Sequence, residues 1–259
     1  MKDSIILVDN ITKTFHVGMQ DVQVLKGISF SVEKGDFMII FGPSGCGKST
    51  LLHGLLGLEK PTTGTISILG RNLYESEIED MRSEFRKEHF GMVYQQPNWI
   101  KALTVVENVS FPLLLRGIEK IEAEKKAMEE LKAVGVDEWA HYLPGELSSG
   151  QQQRASLARA MVTGPEIIIA DEPTGNLDFE AGEDLMELLV PLTKGESTIS
   201  GKTIIMVTHD LEYLRYATRA LKIFNGQVVE HFEGRDIVKK ALKGVQTKRL
   251  SERQRTETS

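Results

Sequence analysis

A glycine-rich segment, GPSGCGKST, runs from Gly42 to Thr50. Its spacing matches G-x-x-x-x-G-K-[ST], a pattern whose glycines let backbone N–H groups curl around phosphate oxygens. Lys48 is expected to neutralise phosphate charge, and the Ser49 hydroxyl is expected to reach Mg²⁺. The apolar run FMIIF precedes the segment and TLLHGLLGLE follows it, which predicts the strand–loop–helix context of a nucleotide phosphate site. A glycine-rich turn that matches by chance is the weaker interpretation.

The rest of this loop is expected to line the same phosphates. The candidate nucleotide-binding residues are therefore Gly42, Pro43, Ser44, Gly45, Cys46, Gly47, Lys48, Ser49 and Thr50. Cys46 is the single cysteine of the chain, so no disulfide can form within it, which fits a reducing compartment. We interpret Cys46 as a small residue in a tight turn, and oxidation that blocks nucleotide binding is the second hypothesis.

Two carboxylates and a histidine follow apolar runs further along the chain. Asp171 and Glu172 end the run IIIADE, and His209 follows TIIMVT. Such strand ends are where α/β proteins bind ligands. Asp171 is expected to hold Mg²⁺ through water, Glu172 to polarise an attacking water, and His209 to contact a γ-phosphate. A capping Asp-Glu pair before the turn at Pro173 is the alternative for the carboxylates.

The stretch LSSGQQQR, from Leu147 to Arg154, places two serines and a glycine at a predicted helix start. A helix N-terminus carries unpaired N–H groups and partial positive charge, serine caps it, and glycine admits a close neighbour. An anion is the simplest such neighbour. An ordinary capped amphipathic helix is the alternative when this stretch is taken alone.

The elements that must position these residues alternate between strands and helices. Residues 5–41 are predicted to form short strands, and most of 97–146 a helical insert. Further predicted elements are a helix at 149–163, a buried strand in EIIIADE, a helix at about 180–193, a buried strand in TIIMVTHD and a hairpin turning at Asn225-Gly226. This order predicts an α/β fold with a parallel sheet joined by antiparallel strands.

One predicted helix of the insert, IEKIEAEKKAMEELKAVG, shows an apolar face. That face comprises Ile118, Ile121, Met128, Leu131 and Val134. Glu122 and Lys126 are spaced for an i,i+4 ion pair, and Gly135 is expected to end the helix.

Composition narrows the class of protein. The 259 residues, 41% of them hydrophobic, suit one large domain or a core with a subdomain. A net charge of −6 argues against a general nucleic-acid binder, so no nucleic-acid partner is expected. Without a signal-peptide pattern or an apolar run of about 20 residues, the chain is expected to be cytoplasmic. The basic segment 236–259 is predicted to be a partly disordered tail, with contact to anionic lipid or a partner as the alternative.

Together the motifs resemble the ATPase subunits of ABC transporters, over residues 3 to about 235. GPSGCGKST resembles the Walker A motif of that family, IIIADE its Walker B motif and LSSGQ its signature. Gln95 in MVYQQP is similar to the Q-loop glutamine, and Asp178 in GNLD to the D-loop aspartate. His209 is similar to the H-loop switch, and Phe15 in ITKTF to the aromatic residue that stacks on adenine. The landmarks occur in family order, which makes the resemblance highly specific.

The resemblance implies a P-loop NTPase fold of the ABC ATPase type. Its parts would be a RecA-like core, an antiparallel β subdomain and a helical subdomain at about 97–146, within a domain at 1–235. ATP and Mg²⁺ are the implied cofactors, and ATP hydrolysis is the implied activity. The implied catalytic residues are Glu172, His209 and Gln95, and the implied Mg²⁺ ligands are Ser49, Gln95 and Asp171.

The resemblance also implies a head-to-tail dimer of two copies of the chain. Each ATP would lie between the Walker A loop of one subunit and the signature helix of the other. Ser148 and the N–H of Gly150 would reach the γ-phosphate on the partner, with Gln151 and Asp178 also at the nucleotide. One chain would thus hold two half-sites, which a two-fold dimer completes. Ser149 departs from the family, which usually has glycine there, so its side chain would crowd the nucleotide or replace a backbone contact.

Asn176 in DEPTGNLD and the run LTVVENVSFPLLLRG resemble one subfamily. This group serves macrolide exporters, lipoprotein-release systems and the bacterial cell-division ATPase. The resemblance implies an integral membrane partner, a place at the inner face of the membrane, and a helical insert that presses on that partner. Export and control of a cell-wall hydrolase both stay open.

Three other classes fit the sequence less well. ATPases of chromosomes or DNA repair carry a long coiled coil, and no sustained heptads occur between Gln95 and Ser148. Soluble translation-factor ATPases need two tandem cassettes, and this chain has one. The presence of Lys48, Glu172 and His209 argues against a non-catalytic nucleotide-binding module.

Overall fold

The computed structural model describes residues 4–18, 20–76, 78–194 and 201–234. The tail predicted at 236–259 lies outside the described residues. The strands are β1 (Ser4–Val17), β2 (Gln20–Glu33), β3 (Phe37–Phe41), β4 (Thr63–Ile68), β5 (Arg71–Asn72), β6 (Phe90–Tyr94), β7 (Ile167–Asp171), β8 (Thr203–Thr208), β9 (Arg219–Phe224) and β10 (Gln227–Glu233). The helices are α1 (Lys48–Leu55), α2 (Glu79–His89), α3 (Val105–Leu114), α4 (Lys120–Ala133), α5 (Ser149–Met161) and α6 (Phe179–Lys194).

A six-stranded sheet with the order β10-β9-β3-β8-β7-β6 forms the centre of the molecule. Its strands β9, β3, β8, β7 and β6 pair in parallel, and β10 pairs antiparallel to β9. The turn between β9 and β10 has φ of 49° at Asn225 and 76° at Gly226, the left-handed geometry that an Asn-Gly hairpin requires. The predicted parallel sheet and hairpin are confirmed.

Both faces of this sheet are buried, because side chains alternate across a strand. In β3, Phe37, Ile39 and Phe41 enter a core shared with α3 to α6. Met38 and Ile40 enter a second core, shared with α1 and the smaller sheet. Strands covered on both faces read as continuous apolar runs, which is why FMIIF, EIIIAD and TIIMVT lack polar alternation.

The second sheet is antiparallel and has the order β2-β1-β4-β5. The prediction of short strands here was wrong, because β1 and β2 are 14 residues each. Turn-forming residues did not end them: Asn10, with φ 46°, and Gly27, with φ 80°, lie at register shifts between β1 and β2. Such bulges let paired strands continue.

Two α-helices and two 3₁₀ helices, at Asp137–Trp139 and Pro144–Glu146, lie within the predicted helical insert. Thr104 caps α3, since its hydroxyl accepts from the Glu107 N–H and the Glu107 carboxylate accepts from the Thr104 N–H. Both α3 and α4 pack against α5. Among the described residues, no helix combines the length and apolar character needed to cross a bilayer.

The apolar face predicted for α4 was partly wrong. Ile121 is 76% exposed, and Ile118 precedes the helix. The buried residues of the helix are Ala123, Ala127 and Leu131, at i, i+4 and i+8. The two alanines form most of this buried face, because their small side chains let α4 approach α3 and α5 closely. The predicted pair is present, with Lys126 Nζ 2.8 Å from Glu122 Oε1, and Gly135 follows the helix with φ 70°.

Candidate nucleotide site

Four of the predicted segments meet at one edge of the six-stranded sheet. Phe41 of β3 lies beside Thr208 of β8, and Asp171 of β7 lies beside Val207 of β8 and Tyr94 of β6. The residues that follow these strand ends are Gly42, His209, Glu172 and Gln95. The strand register therefore places the glycine-rich loop, the two carboxylates, the histidine and the glutamine side by side, at the edge where α/β sheets bind ligands.

Lys48 is buried at the start of α1, with its side chain folded over the glycine-rich loop. Its Nζ donates hydrogen bonds to the carbonyl oxygens of Gly42, at 2.8 Å, and Pro43, at 3.0 Å. An ammonium has three donors, so the two carbonyls fix the charge beside the loop and use two of them. Gly45 and Gly47 have φ of 75° and 104°, which requires glycine if backbone N–H groups are to turn inward.

Cys46 is buried inside the loop. Burial raises the pKa of its thiol, against a smaller opposing effect of the Lys48 charge. A raised pKa disfavours the reactive thiolate, which supports the interpretation of Cys46 as a small packing residue.

The β9–β10 hairpin braces the loop from outside. The Gly226 N–H donates to the Cys46 carbonyl at 3.1 Å, and the Lys26 N–H donates to the Gly226 carbonyl at 2.8 Å. The Lys26 ammonium also donates to Asn225 Oδ1 at 2.7 Å. A Cβ on Gly226 would lie 2.2 Å from the Val24 oxygen. The Asn-Gly pair signalled the turn in the sequence, but nothing there signalled this contact with the phosphate loop.

Gly226→Ala is expected to destabilise the protein and weaken ATP binding. Alanine at φ 76° is strained, and its Cβ would collide with the Val24 oxygen. Gly117→Ala is the matched control, because φ is 77° there with nothing within 4 Å. Denaturant unfolding should show Gly226→Ala losing about 2 kcal/mol more than Gly117→Ala, and equal losses would contradict the bracing role.

Asp171 and Glu172 share a strand end but differ in backbone conformation. Glu172 has φ 47°, a conformation uncommon outside glycine. Its N–H nevertheless donates to the Val207 carbonyl at 2.9 Å. The backbone hydrogen bonding between β7 and β8 therefore extends to Glu172, where the chain leaves the sheet. The Glu172 carboxylate is then 3.2 Å from the His209 ring, between Oε2 and Nδ1. The Glu172 carboxylate and the His209 imidazole are therefore adjacent, which agrees with the prediction that both belong to one site.

Burial and the neighbouring Glu172 charge raise the pKa of Asp171, with His53 and Lys48 opposing. A cation at this carboxylate would stabilise its charged form. The Asp171 carboxylate, the Ser49 hydroxyl and the Gln95 amide oxygen are all oxygen donors, the kind of ligand that Mg²⁺ prefers. In the described part of the chain, no group of three His, Cys, Asp or Glu residues could hold a metal. Asp171, Ser49 and Gln95 still fit Mg²⁺, because proteins bind this ion through one or two carboxylates together with phosphate oxygens and water.

Gln95 contacts the segment that follows the carboxylates. Its Nε2 donates to Asn176 Oδ1 at 3.5 Å, and Asn176 Nδ2 donates back to the Gln95 carbonyl at 3.2 Å. A Cβ on Gly175 would lie 2.6 Å from Gln95 Nε2, so glycine lets the Gln95 side chain lie directly against this turn. The sequence indicated only that Asn176 is typical of one subfamily. No pattern in it predicted the contact with Gln95.

Polar side chains of α5 hold the loop after β6. Gln153 Nε2 donates to the Tyr94 carbonyl at 2.8 Å, and Trp99 Nε1 donates to Gln152 Oε1 at 3.0 Å. The Arg159 guanidinium lies 4.5 Å from the centre of the Trp99 ring, a cation–π distance. The loop that carries Gln95 is thus attached to the helix that carries the LSSGQ motif, a link the sequence did not predict.

The N-terminus of α5 has a complete capping box. The Ser148 hydroxyl accepts from the Gln151 N–H at 3.3 Å, and Gln151 Oε1 accepts from the Ser148 N–H at 2.8 Å. The predicted cap is therefore present. The N–H groups of Ser149 and Gly150 have no intrahelical acceptor, and the Ser148 hydroxyl keeps its own proton to donate. Local capping and anion binding are compatible at this helix end.

The signature motif and the phosphate loop belong to different layers of the fold. Helix α1 packs against β2 and β7, whereas α5 packs against β6, α3, α4 and α6. Asp178 caps α6, with its Oδ1 accepting from the Ala181 N–H at 2.8 Å. Phe15 lies on β1 opposite Val22, and the Lys13 ammonium is 4.9 Å from its ring centre. Asp178 and Phe15 therefore do not belong to the group of residues that directly follow the strands of the six-stranded sheet.

Comparison with known proteins finds a matching family model and several similar proteins. The family described as "ABC transporter" matches residues 25–175. A lipoprotein-releasing system ATP-binding protein, LolD of Legionella pneumophila, is 40% identical over 228 residues, which cover 88% of this chain and 98% of that protein. A macrolide export ATP-binding/permease protein, MacB of Wolinella succinogenes, is 38% identical over 90% of this chain. The chain spans only 35% of that MacB protein.

Solved structures give the same result for the fold. A bacterial ABC transporter cassette determined as a dimer matches with a TM-score of 0.80 and 37% identity, over 88% of this chain and 98% of that one. A second structure of that cassette, a dimeric post-hydrolysis state bound to ADP and Pi, also matches with a TM-score of 0.80. The predicted α/β fold of the P-loop ABC ATPase type is confirmed.

Proposed function

This chain belongs to the ABC transporter family as its ATP-hydrolysing ATP-binding subunit, and on that premise we propose that it drives a separate membrane subunit. The work done would be export, lipoprotein release or mechanical transmission across the envelope. The similarity to proteins named for macrolide export and lipoprotein release supports this range. The single observation that carries the ATPase mechanism is the alignment of Gly42, His209, Glu172 and Gln95 at one sheet edge.

Each residue at this edge has its own role in ATP hydrolysis. Lys48 and the loop N–H groups bind the β- and γ-phosphates. Glu172 polarises the attacking water as general base, and His209, 3.2 Å away, contacts the γ-phosphate. Ser49, Gln95 and Asp171 would hold Mg²⁺, which supplies neutralisation of phosphate charge. Because Gln95 touches Asn176 and is attached to α5 through its loop, it can report the nucleotide state to the helical region.

The second half of each site comes from a second copy of the chain. The Ser148 hydroxyl proton and the N–H groups of Ser149 and Gly150 form an anion site at the α5 N-terminus. Gln151 supports it through the capping box. Because α5 and the phosphate loop lie in different layers of one chain, a two-fold dimer brings each helix to the other copy's ATP. ATP closes this dimer and hydrolysis opens it.

The proposed partner is an integral membrane subunit, so the chain would work at the cytoplasmic face of the membrane. The test is a pull-down from membranes with Glu172→Gln and ATP, followed by identification of the protein recovered. A subunit with four spans and a large extracytoplasmic domain supports mechanical work on the envelope, including control of a cell-wall hydrolase. A subunit with many more spans supports conventional transport. Recovery of soluble proteins alone would contradict the proposal of a membrane partner.

Phe15→Ala is expected to raise the KM for ATP about tenfold with little change in kcat. The ring stacks on adenine in this proposal, and removing an aromatic stacking partner costs about 1–3 kcal/mol of binding. Val22→Ala is the matched control, because Val22 pairs with Phe15 across β1 and β2. Steady-state kinetics that show equal KM for Phe15→Ala and Val22→Ala would argue against the stacking role.

A further inference from the structure

The position of His209 depends on the backbone segments at either side of it. It directly follows β8, and a 3₁₀ helix, Leu211–Tyr216, begins two residues later. Its side chain is 60% exposed, with Nδ1 at 3.2 Å from Glu172 Oε2. Because so exposed a ring has little packing around it, the backbone must fix where the imidazole points.

Asp210 joins the 3₁₀ helix to β8. Its N–H donates to the Thr208 hydroxyl at 3.0 Å, and its carboxylate accepts from the Glu212 N–H at 2.9 Å. Hydrogen bonds at both ends of this short link leave the histidine backbone little freedom of its own. A displacement of the 3₁₀ helix would therefore move His209.

Tyr213 connects the 3₁₀ helix to the turn that carries Glu172. The Tyr213 side chain is buried, and its hydroxyl occupies the space left by Gly182 on α6, where a Cβ would lie 2.3 Å from the hydroxyl oxygen. Thr174, also buried, lies in the turn closed by the hydrogen bond from the Gly175 N–H to the Glu172 carbonyl, at 3.0 Å. Burial raises the pKa of the Tyr213 hydroxyl, and a hydrogen bond with the Thr174 side chain opposes this rise.

The 3₁₀ helix has a second attachment to α6. The Arg215 guanidinium donates to Glu183 Oε2, and the Tyr216 hydroxyl donates to the same oxygen at 2.8 Å. Both of these bonds end on α6. Tyr213 differs from them, because it contacts α6 and also reaches the turn after Glu172.

We propose that Tyr213 is a positioning residue, which sets the separation of His209 and Glu172 by holding the 3₁₀ helix against Gly182 and Thr174. The inference rests on the proposed function, since it requires that both side chains act on ATP. A displacement of about 1 Å in an active site can cost about 100-fold in rate. Tyr213 acts through the backbone that carries His209 and not through the phosphate loop, so its loss should change kcat and leave the KM for ATP unchanged.

The experiment measures steady-state ATPase kinetics of the full chain with Mg²⁺. Tyr213→Phe removes the hydroxyl and keeps the ring, so kcat should fall about tenfold with KM within about twofold of the native value. Tyr216→Phe is the matched control. It removes a hydroxyl from the same helix while Arg215 keeps its bond to Glu183, so kcat should stay within about twofold.

Tyr213→Phe is also combined with His209→Ala. Because the hydroxyl acts through His209, it should lower the rate of the His209→Ala chain by less than about twofold. Single-turnover hydrolysis with the protein in excess over ATP measures these slow rates.

Gly182→Ala tests the same contact from α6. The added methyl group would displace the Tyr213 hydroxyl, so kcat should fall about tenfold, as in Tyr213→Phe. A Cβ at Gly182 would lie 3.4 Å from Tyr213 Cζ, an ordinary contact distance. The combined Gly182→Ala/Tyr213→Phe chain should therefore melt at a higher temperature than Gly182→Ala, yet its kcat should stay low because the hydroxyl is absent.

A kcat for Tyr213→Phe equal to that of Tyr216→Phe would overturn the inference. A tenfold fall in rate when Tyr213→Phe is added to His209→Ala would overturn it too, because Tyr213 would then act through another group. Native kcat in the combined Gly182→Ala/Tyr213→Phe chain would show that packing suffices without the hydroxyl, against the proposal. Native kcat in His209→Ala alone would instead contradict the proposed function, since His209 would have no role in hydrolysis.

Discussion

Glu172→Gln is expected to keep ATP binding while lowering ATP turnover about 100- to 10,000-fold. General-base catalysis contributes about this range of rate, and an amide cannot take the proton of the attacking water. Glutamine has nearly the same size, so the turn at φ 47° and the N–H bond to Val207 should be kept. With hydrolysis blocked, ATP should hold two chains together, and gel filtration should show an ATP-dependent dimer.

Glu166→Gln is the matched control for this variant. Glu166 precedes β7 at the opposite end of the same strand, where its carboxylate lies 2.6 Å from His89. The substitution removes the same charge at the other end of β7, far from the sheet edge that carries Glu172. Turnover should stay within about twofold of the native rate. Native turnover in Glu172→Gln itself would remove Glu172 from its proposed role.

Lys48→Ala is expected to weaken ATP binding about 100-fold. A hydrogen bond to a charged group contributes about 1.5–3 kcal/mol, and the ammonium would also be lost as a counter-charge to the phosphates. Lys48 is only 5% exposed, and its Nζ satisfies the carbonyls of Gly42 and Pro43. Alanine would leave both carbonyls without that donor, so thermal stability should fall as well.

Lys48→Gln separates the two effects of this substitution. Its amide can still donate to the loop carbonyls, so the melting temperature should lie nearer the native value than that of Lys48→Ala. It carries no charge, so ATP affinity should be as weak as in Lys48→Ala. Isothermal titration and thermal melting measure the two quantities. Tight ATP binding by either variant would contradict a phosphate-binding loop.

Local spacing made much of this site predictable from the sequence. The lysine and glycines of GPSGCGKST and the carboxylates after EIIIA are each a short pattern within one strand–loop unit. The cap at Ser148 is equally local, since the hydroxyl bonds an N–H three residues on. Such features depend on φ, charge and hydrogen bonds between near neighbours, and these are encoded directly by residue type.

Some errors arose where a tertiary contact outweighed a local signal. Residues 5–41 were predicted to form short strands, but β1 and β2 continue past Asn10 and Gly27, where their pairing shifts register. Ile121 resembled a core residue, but α4 turns its alanines toward α3 and α5 instead. In the first case strand pairing set the length of the strands, and in the second case helix packing set which side chains are buried. Both contacts involve other segments of the chain.

The phosphate loop, the catalytic candidates, the capped helix and the α/β class are predictable from short patterns of consecutive residues. Which of these residues come together depends on how distant segments pack. The register of β3, β8, β7 and β6 placed Gly42, His209, Glu172 and Gln95 at one edge. The bracing contact from Gly226 to Cys46 and the pairing of Gln95 with Asn176 join residues 180 and 81 positions apart. Strand register and loop contacts of that kind depend on packing of the whole chain, so no local pattern carries them.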